Sequence, residues 1–155
     1  MSLTLELVNK DAFNRLKSAG KAFDEGAKQF LSTAGQLVVS QAKRESPVDK
    51  GQLRQSIQAQ EPSKVMGNWQ AKVGSGLEYA KYQEHGTGIY GPKGRPITPR
   101  NAKMLAFRAK DGRMIFARSV RGSKKREFMK KGIDYAERNI QHAFSAMDSI
   151  IQSKL

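Results

Sequence analysis

Apolar positions near the start of the chain first alternate with polar ones and then change to a helical spacing. Leu3, Leu5 and Leu7 alternate with polar residues, which is typical of a half-buried β-strand. From Phe13 to Val38, apolar residues recur at intervals of mostly three or four, so we expect one long amphipathic helix. Because proline disfavours helical geometry in the residue before it, Pro47 places the end of this helix one residue earlier.

A turn, a strand and an irregular loop are predicted in the middle of the chain. Pro47-Val48-Asp49-Lys50-Gly51 combines a fixed proline φ, an aspartate able to bond the backbone ahead and a glycine able to take positive φ. Alternation within Val65 to Val73 predicts a strand. Tyr79 to His85 fits a short helix or a strand, and we favour the helix. Gly86 to Pro99 is rich in glycine and proline, which is typical of an ordered but irregular loop.

The last third of the chain predicts a hairpin and a second helix. Asp111-Gly112 lies between Met104 to Ala109 and Arg113 to Val120, two runs that favour β-structure, and this indicates a hairpin. An apolar stripe at helical spacing from Phe128 to Ile151 predicts a second long helix. We therefore expect an α+β fold: two long amphipathic helices packed on a small antiparallel sheet, with a basic β-hairpin extension. A single domain is expected over residues 1–155, with a basic loop and hairpin insertion at about 86–126.

Charge is concentrated in one part of the chain. The 155 residues contain 28 Lys and Arg against 14 Asp and Glu, a net charge of +14. Residues 91–131 hold fourteen of those bases and two of the acids, so this segment alone carries +12. Such asymmetry indicates contact with nucleic acid or with an acidic protein surface, and a solvated loop is the alternative. We expect the hairpin and the connector after it, Arg121 to Arg126, to project from the domain and meet that surface.

Composition also limits the classes of site. The chain has no cysteine, which excludes disulfides and thiolate metal sites. No apolar run approaches the roughly 18 residues that span a bilayer. The first ten residues are rich in leucine but have no basic start and no small-residue cleavage site, so they do not predict a signal peptide. We therefore expect no membrane partner.

The sequence gives little support for catalysis or a cofactor. Gly86-Thr87-Gly88-Ile89-Tyr90-Gly91 matches the letters of a dinucleotide-binding loop, but such a loop must open a helix, and Pro92 follows at once. His85 and His142 have no carboxylate or second histidine at ligand spacing. No serine lies in a Gly-x-Ser-x-Gly elbow. We therefore expect no cofactor, no metal site and no enzyme activity, and a small hydrolase is only the third hypothesis.

Two segments resemble motifs of the neck, or head–tail joining, family of tailed bacteriophages, also called tail-completion or minor head–tail component proteins. Ser46 to Ile57 is similar to the family's Pro-Val-Asp-Thr-Gly-x-Leu-Arg-x-Ser-Ile. Tyr79 to Thr87 is similar to its Tyr-Ala-x-Tyr-x-Glu-aromatic-Gly-Thr. A third segment, Lys125 to Met129, departs from the family pattern, because Glu127 stands where a proline usually precedes Phe128.

The resemblance implies a structural subunit of the virion neck. It implies a homo-oligomeric ring, hexameric or dodecameric, around the DNA channel, in contact with other neck and tail proteins and with channel DNA as an open alternative. It implies a location in the virion neck or tail, and in the host cytoplasm during assembly. The second hypothesis, supported mainly by the charge, is a basic module that binds nucleic acid without sequence specificity.

Three groups of residues are candidate sites. The structural turn consists of Pro47, Asp49, Gly51, Leu53, Ser56 and Ile57. The second family motif consists of Tyr79, Ala80, Tyr82, Glu84, Gly86 and Thr87. Candidate contacts to DNA or to a partner are Arg108, Arg113, Arg118, Arg121, Lys124, Lys125 and Arg126. For the first two groups we favour a role in keeping the fold, and Leu53 with Ile57 fits either one helical turn or the start of a strand.

Overall fold

The computed structural model describes residues 2–6, 20–109 and 111–154. The chain divides into two compact units, the first made of residues 1–77 and 128–155 and the second of residues 78–127. Leu7 and the start of the predicted long helix lie outside the described residues. The prediction of a single domain over residues 1–155 stays a prediction.

The first unit contains a small antiparallel sheet. Its strands are β1 (Ser2–Glu6), β2 (Ile57–Ala59), β3 (Ser63–Val65) and β4 (Asn68–Ser75). Strand β4 is central, because β1 pairs with it along most of its length while β2 and β3 pair with its two ends. Ala71 and Val73, at alternate positions of β4, are fully buried. Their spacing shows that one face of the sheet lies on the core.

Helix α1 (Lys21–Glu45) supplies more of that core than any other described element. Its buried residues recur at intervals of one, three and four and are Phe23, Ala27, Phe30, Leu31, Ala34, Val38, Val39 and Ala42. The helix ends where the proline predicts, since Ser46 has an extended ψ of 137°. The Ser46 N–H donates to the carbonyl of Ala42 at 2.9 Å, and its hydroxyl donates to that of Lys43 at 2.9 Å.

The predicted second long helix is two helices, α4 (Phe128–Arg138) and α5 (Ile140–Lys154). Asn139 separates them. Its backbone N–H lies 3.1 Å from the carbonyls of both Tyr135 and Ala136, and its side-chain amide donates to Tyr135 at 2.8 Å. An asparagine that bonds the carbonyl four residues back competes with the backbone ladder, which accounts for the break.

A cluster of apolar side chains joins α1, the sheet and α5. Phe30, Leu31, Ala71, Ala143, Met147 and Ile151 form it, and Trp69, Ile140 and Phe144 pack against it. The rings of Phe30 and Phe144 lie 4.6 Å apart between centroids and are tilted by 41°. Tilted pairs at this separation are favourable beyond the area that they bury. The predicted α+β class is therefore confirmed.

The strand predicted over Val65 to Val73 is instead the turn and second strand of a β3–β4 hairpin. Met66 and Gly67 form its two-residue loop with φ of 49° and 83°. Positive φ at both central residues is typical of the turn that matches the twist of paired strands. Asparagine and aspartate are the residues that usually precede glycine there, so Met66 gave no signal of a turn.

The second unit contains α3 (Ala80–His85), a 3-10 turn at Gly88–Tyr90, and the strands β5 (Leu105–Arg108) and β6 (Met114–Ala117). The two strands pair antiparallel, which confirms the predicted hairpin. A further bridge joins Ile97 to Val120. No helix in the described part of the chain has both the length and the apolar composition needed to cross a bilayer.

Candidate interaction surface of the second unit

The turn after α1 has the conformation predicted from its glycine. Gly51 has φ 78° and ψ −5°, in the left-handed region, and it precedes α2 (Gln52–Ser56). Its carbonyl accepts a hydrogen bond from the N–H of Gln55 at 3.0 Å. The prediction of positive φ at Gly51 is confirmed. Pro47 is half-buried at the start of this turn.

Ser56 connects the turn to the sheet. Its hydroxyl donates to the carbonyl of Leu53 at 2.8 Å and lies 2.7 Å from the hydroxyl of Ser75. Because Ser56 has a single hydroxyl proton, Ser75 donates in that pair. Leu53 is buried in α2 and Ile57 is fully buried at the start of β2, so the motif spans a helical turn and a strand.

Asp49 does not have the role expected from the turn. It is exposed, and among the described residues its carboxylate forms no hydrogen bond to the backbone ahead. The turn is stabilised instead by the hydroxyl and N–H of Ser46 and by the left-handed conformation of Gly51. The other five turn residues are therefore buried or half-buried, whereas Asp49 is exposed to solvent.

The second family motif forms α3 and has a buried and an exposed side. Ala80 and Glu84, at positions i and i+4, are buried, whereas Tyr79 and Tyr82 are exposed. The Lys81 ammonium lies 5.1 Å from the ring centroid of Tyr82, within the range of a cation–π contact. The helix predicted for Tyr79 to His85 is confirmed, and its exposed side presents aromatic rings beside a cation.

Thr87 joins the start of the insertion to its end. Its N–H donates to the carbonyl of Ser123 at 2.9 Å, and the Ser123 N–H donates to the Thr87 hydroxyl at 2.9 Å. The two hydroxyls lie 3.0 Å apart. The Ile89 N–H donates to the carbonyl of Arg121 at 2.9 Å. We refer to residues 87–89 and 121–123, joined in this way, as the clasp.

The connector is anchored along its length, which corrects the expectation that it projects. Beyond the clasp, the Arg126 N–H donates to the carbonyl of Gln83 at 2.8 Å, and the Glu127 N–H donates to that of Glu84 at 3.2 Å. The concentration of basic residues led to the expectation of a projecting connector, whereas backbone hydrogen bonds join it to α3 and to the clasp. The side chains of residues 121–126 nevertheless remain exposed.

Two glycines allow the two backbones of the clasp to cross. Gly88 and Gly122 have φ of 64° and 89°. A Cβ on Gly88 would overlap the carbonyl of Arg121, and a Cβ on Gly122 would overlap that of Thr87. Both positions therefore require glycine for space as well as for backbone conformation.

This crossing accounts for the glycine pattern of residues 86–91 without a nucleotide. A dinucleotide loop places the pyrophosphate at the N-terminus of an α-helix. Here the segment opens the 3-10 turn Gly88–Tyr90, which ends at Gly91 and leads into irregular backbone. The glycines approach other backbone atoms at the positions where that motif would approach a phosphate.

A cleft of about 660 Å³ opens beside the clasp, and we refer to it as the basic cleft. Its lining includes the bases Lys81, Lys93, Arg95 and Arg100 with His85. Tyr82 and Ile97 add apolar surface. No carboxylate lines the cleft within the described residues. Such a lining suits phosphate or carboxylate groups, which guanidinium and ammonium groups bind by charge-assisted hydrogen bonds.

The candidate contact residues fall into two groups within this unit. Arg108, Arg113 and Arg118 lie on or beside the β5–β6 hairpin, and Arg121, Lys124, Lys125 and Arg126 lie in the connector; all are exposed. Some charges are already engaged. Arg113 pairs with Asp111 at 2.7 Å, Lys125 pairs with Glu127 at 2.9 Å, and the Lys124 ammonium lies 5.9 Å from the ring centroid of Tyr90.

The segment that departs from the family pattern also has an unusual backbone. Glu127 has φ 52°, a conformation that residues other than glycine rarely adopt. Proline, whose ring fixes φ near −65°, cannot adopt it. Phe128 and Met129 follow and are fully buried at the start of α4. The chain therefore enters the last helices through a backbone conformation that a proline at position 127 would not allow.

Two carboxyl groups have pKa values below the usual value for aspartate. The Lys64 ammonium at 2.8 Å and the indole N–H of Trp69 at 2.9 Å hold the pKa of Asp24 below its usual value. In the hairpin turn, the guanidinium and backbone N–H of Arg113 lower the pKa of Asp111. Both carboxylates pair with cations in open positions, which is a structural arrangement and not that of a catalytic acid.

The histidines and acids do not gather into a site in the described part of the chain. His85 lines the basic cleft, and the side chain of His142 lies outside the described residues. No group of three or more His, Asp or Glu side chains that could hold a metal ion is found among the described residues.

The sequence did not reveal the clasp or the basic cleft. Ser123 is 36 positions away from Thr87, so no local pattern could pair them. The net charge of the segment includes Lys93, Arg95 and Arg100. The glycine- and proline-rich loop that positions them has no periodicity, so the sequence did not indicate that they share a face. The one local signal was the group of glycines at 86–91, whose spacing reflects the crossing with Gly122.

Comparison with known proteins agrees with the two motifs. Residues 10–86 match the model of the family described as "Bacteriophage HK97-gp10, putative tail-component". The match covers about half of the chain and includes α1, the structural turn, the sheet strands β2 to β4 and α3. No curated protein and no solved structure gives a significant match. Over residues 10–86 the chain therefore matches the HK97-gp10-like family, whose printed description is a putative bacteriophage tail component.

Proposed function

We propose that this chain is a structural subunit of a phage neck that joins head to tail by assembling into a ring around the DNA channel. The observation that carries the proposal is the match of residues 10–86 to a family of phage tail components. These residues contain the first family motif and all of the second except Thr87. A head-to-tail interface that closes on itself gives a ring, and the family resemblance implies six or twelve copies. Its place is the virion, after assembly in the host cytoplasm, and its role is structural and not enzymatic.

The organisation of the second unit supports this proposal. Thr87, the last residue of the second motif, is part of the clasp that anchors a strongly basic insertion, so a motif residue also helps to position the charged surface. Residues 78–127 contain thirteen bases and four acids. A surface of that charge suits either the phosphates of channel DNA or the acidic surface of a neighbouring neck or tail protein.

Native mass spectrometry of the purified full chain tests ring formation. We expect a closed oligomer of six or twelve copies of the 17.2 kDa chain, formed without DNA and stable to nuclease. A chain that stays monomeric alone, and also stays monomeric when mixed with purified tails and DNA-filled heads of the same phage, would contradict the proposal.

The second candidate is a basic module that binds nucleic acid without sequence specificity. The basic cleft favours it, because five basic or histidine side chains line a groove without a carboxylate among the described residues. Binding to duplex DNA should then weaken steeply with salt, with a slope of about −0.9 in log–log terms for each phosphate contacted. Tight, salt-sensitive binding by a monomer would favour this candidate, and ring formation indifferent to DNA would favour the neck subunit.

A further inference from the structure

The β5–β6 hairpin has apolar side chains on both of its faces. Cross-strand partners share a face, and successive residues of a strand alternate between faces. Phe107 pairs with Ile115, on the same face as Leu105. Phe116 and Met114 lie on the opposite face. The chain therefore presents a ribbon whose two surfaces both carry large apolar groups.

These groups are open to solvent. The exposed fraction is 62% for Phe116, 51% for Met114, 41% for Phe107 and 39% for Ile115. Within the described residues, β5 and β6 pair only with each other, so both of their outer edges are unpaired as well. An isolated two-stranded ribbon is marginally stable in water, and contiguous exposed apolar surface marks an interaction site. We refer to residues 104–118 as the apolar hairpin.

The charges around the apolar hairpin indicate the chemistry of what covers it. Arg108 lies in β5, Arg118 follows β6 and Lys103 precedes β5. At the tip, Asp111 is already paired with Arg113. The apolar faces are therefore surrounded by cations. A partner surface that buries these faces must carry carboxylates at its edge, because otherwise the cations would lie beside charges of the same sign.

A second copy and DNA both fit this surface poorly. Residues 78–127 carry +9, and the remainder of the chain carries the other +5, so both units of a second copy bring further net positive charge. DNA satisfies the cations, but its phosphate backbone offers no apolar surface to four large side chains. A different protein, with an apolar groove edged by Asp and Glu, satisfies both the apolar and the cationic groups.

We infer that the apolar hairpin inserts into an acidic-edged apolar groove of a different virion protein and so anchors this subunit to its neighbour. The inference rests on the proposed structural role, but it does not require that copies of this chain form a ring. Phe107 and Phe116, one on each face, are the two anchoring residues. Aromatic side chains of this kind dominate the energetics of interfaces when a pocket desolvates them.

Photo-crosslinking in assembled particles identifies what covers the hairpin. The full chain is produced with benzoylphenylalanine at position 116 during assembly of the phage that encodes it, and the matched control carries the same group at Met66, an exposed turn position of the first unit. We expect a light-dependent conjugate with a different virion protein, at a peptide with apolar residues flanked by Asp or Glu. A conjugate with a second copy, a nuclease-sensitive conjugate, or a yield no greater than at Met66 would overturn the inference.

Substitution measures how much the hairpin contributes. The double variant Phe107→Thr/Phe116→Thr keeps strand-favouring residues. Its control on the other hairpin is Val65→Thr/Met66→Asn, in which asparagine tolerates the positive φ of position 66. We expect an unchanged melting temperature and native mass, with a fall in joined particles of about tenfold for each phenylalanine. A yield equal to that of the control, or a loss of native mass, would overturn the inference. Failure of the unsubstituted chain to form a ring would contradict the proposed function and leave this inference standing.

Discussion

At the scale of single residues, the chain uses glycine in two different ways. Gly51 begins a helix in the left-handed region, and a Cβ added there would meet nothing closer than the side-chain amide of Gln55 at 3.9 Å. Gly88 has a similar φ but lies against the backbone of Arg121. The first position requires glycine for conformation alone, whereas the second requires it for space as well.

Substitution at Gly51 should therefore measure backbone strain in isolation. We expect Gly51→Val to lower the free energy of unfolding by about 2 kcal/mol, because a β-branched residue at positive φ is strongly disfavoured. Asparagine tolerates the left-handed region, so Gly51→Asn should cost about half of that or less. Urea denaturation of the three chains measures both differences, and equal stability of the valine and asparagine variants would contradict this account.

The clasp gives a prediction with a matched control on the same loop. Gly88→Ala should lower the stability of the second unit by about 3 kcal/mol or more, because the added Cβ meets a carbonyl that belongs to paired backbone. Gly94→Ala has nearly the same φ, 58° against 64°, but nothing within 4 Å of its Cβ, so it should cost only about 1 kcal/mol. Hydrogen exchange at the amides of Thr87 and Ser123 provides the readout, and equal exchange in both variants would show that the crossing is not tight.

The lowered pKa of Asp24 predicts that its contribution to stability depends on pH. Its pKa is lowered in the folded chain by Lys64 and Trp69, so its contribution to stability is present above its unfolded pKa and is lost as the pH falls through its lower folded pKa. Asp24→Asn should cost at most about 1 kcal/mol at pH 7, since both partners of the ion pair are more than a third exposed. That difference should shrink below about pH 3.9. A difference that stays constant between about pH 7 and about pH 2.5 would exclude titration of this carboxylate as its source.

At the scale of elements, local signals predicted local structure well. Asp111-Gly112 predicted the β5–β6 hairpin, and Pro47 predicted the end of α1, because each acts on backbone within a few residues. The break at Asn139 was missed because the apolar stripe continues in register across it and masks a side chain that bonds the preceding turn. The β3–β4 turn was missed because Met66 is not a residue that favours positive φ.

The candidate site was less predictable than the fold. The net charge of residues 91–131 was evident in the sequence, but the arrangement of the bases depends on contacts between distant segments. The bond between Arg126 and Gln83 changed a connector expected to project into one held along α3. The exposure of the apolar residues of β5 and β6 became evident only once the strands were found to pair with each other alone among the described residues.

At the scale of the whole molecule, positive charge is distributed unequally between the two compact units. The second unit carries +9 in 50 residues, and the first carries +5 in 105. Closing several such units into a ring brings like charges together, so opposite charges from DNA or from a partner should stabilise the assembled ring further. Single exposed pairs contribute only about 0–1 kcal/mol, and the effect must therefore be collective.

The connector tests this collective effect. We expect the variant with Arg121, Lys124, Lys125 and Arg126 all changed to Gln to remain folded but to assemble or retain DNA less well, most visibly at higher salt. The control changes Lys28, Lys50, Arg54 and Lys72, four exposed bases of the first unit, to Gln and so alters the net charge equally. Counting infectious particles across salt concentrations compares them. If both variants behave like the unsubstituted chain, the connector is a solvated segment.

The clasp also determines how freely this protein can vary. Because Thr87 and Ser123 are bonded to each other, the chain between them leaves and returns at one point. The entropic cost of closing such a loop grows only with the logarithm of the loop's length, so doubling the length costs about 0.6 kcal/mol. The segment between positions 91 and 119 can therefore be lengthened, shortened or exchanged for another sequence at little cost to the stability of the clasp. The clasp makes the insertion a replaceable module, through which one scaffold can be fitted to different neighbours.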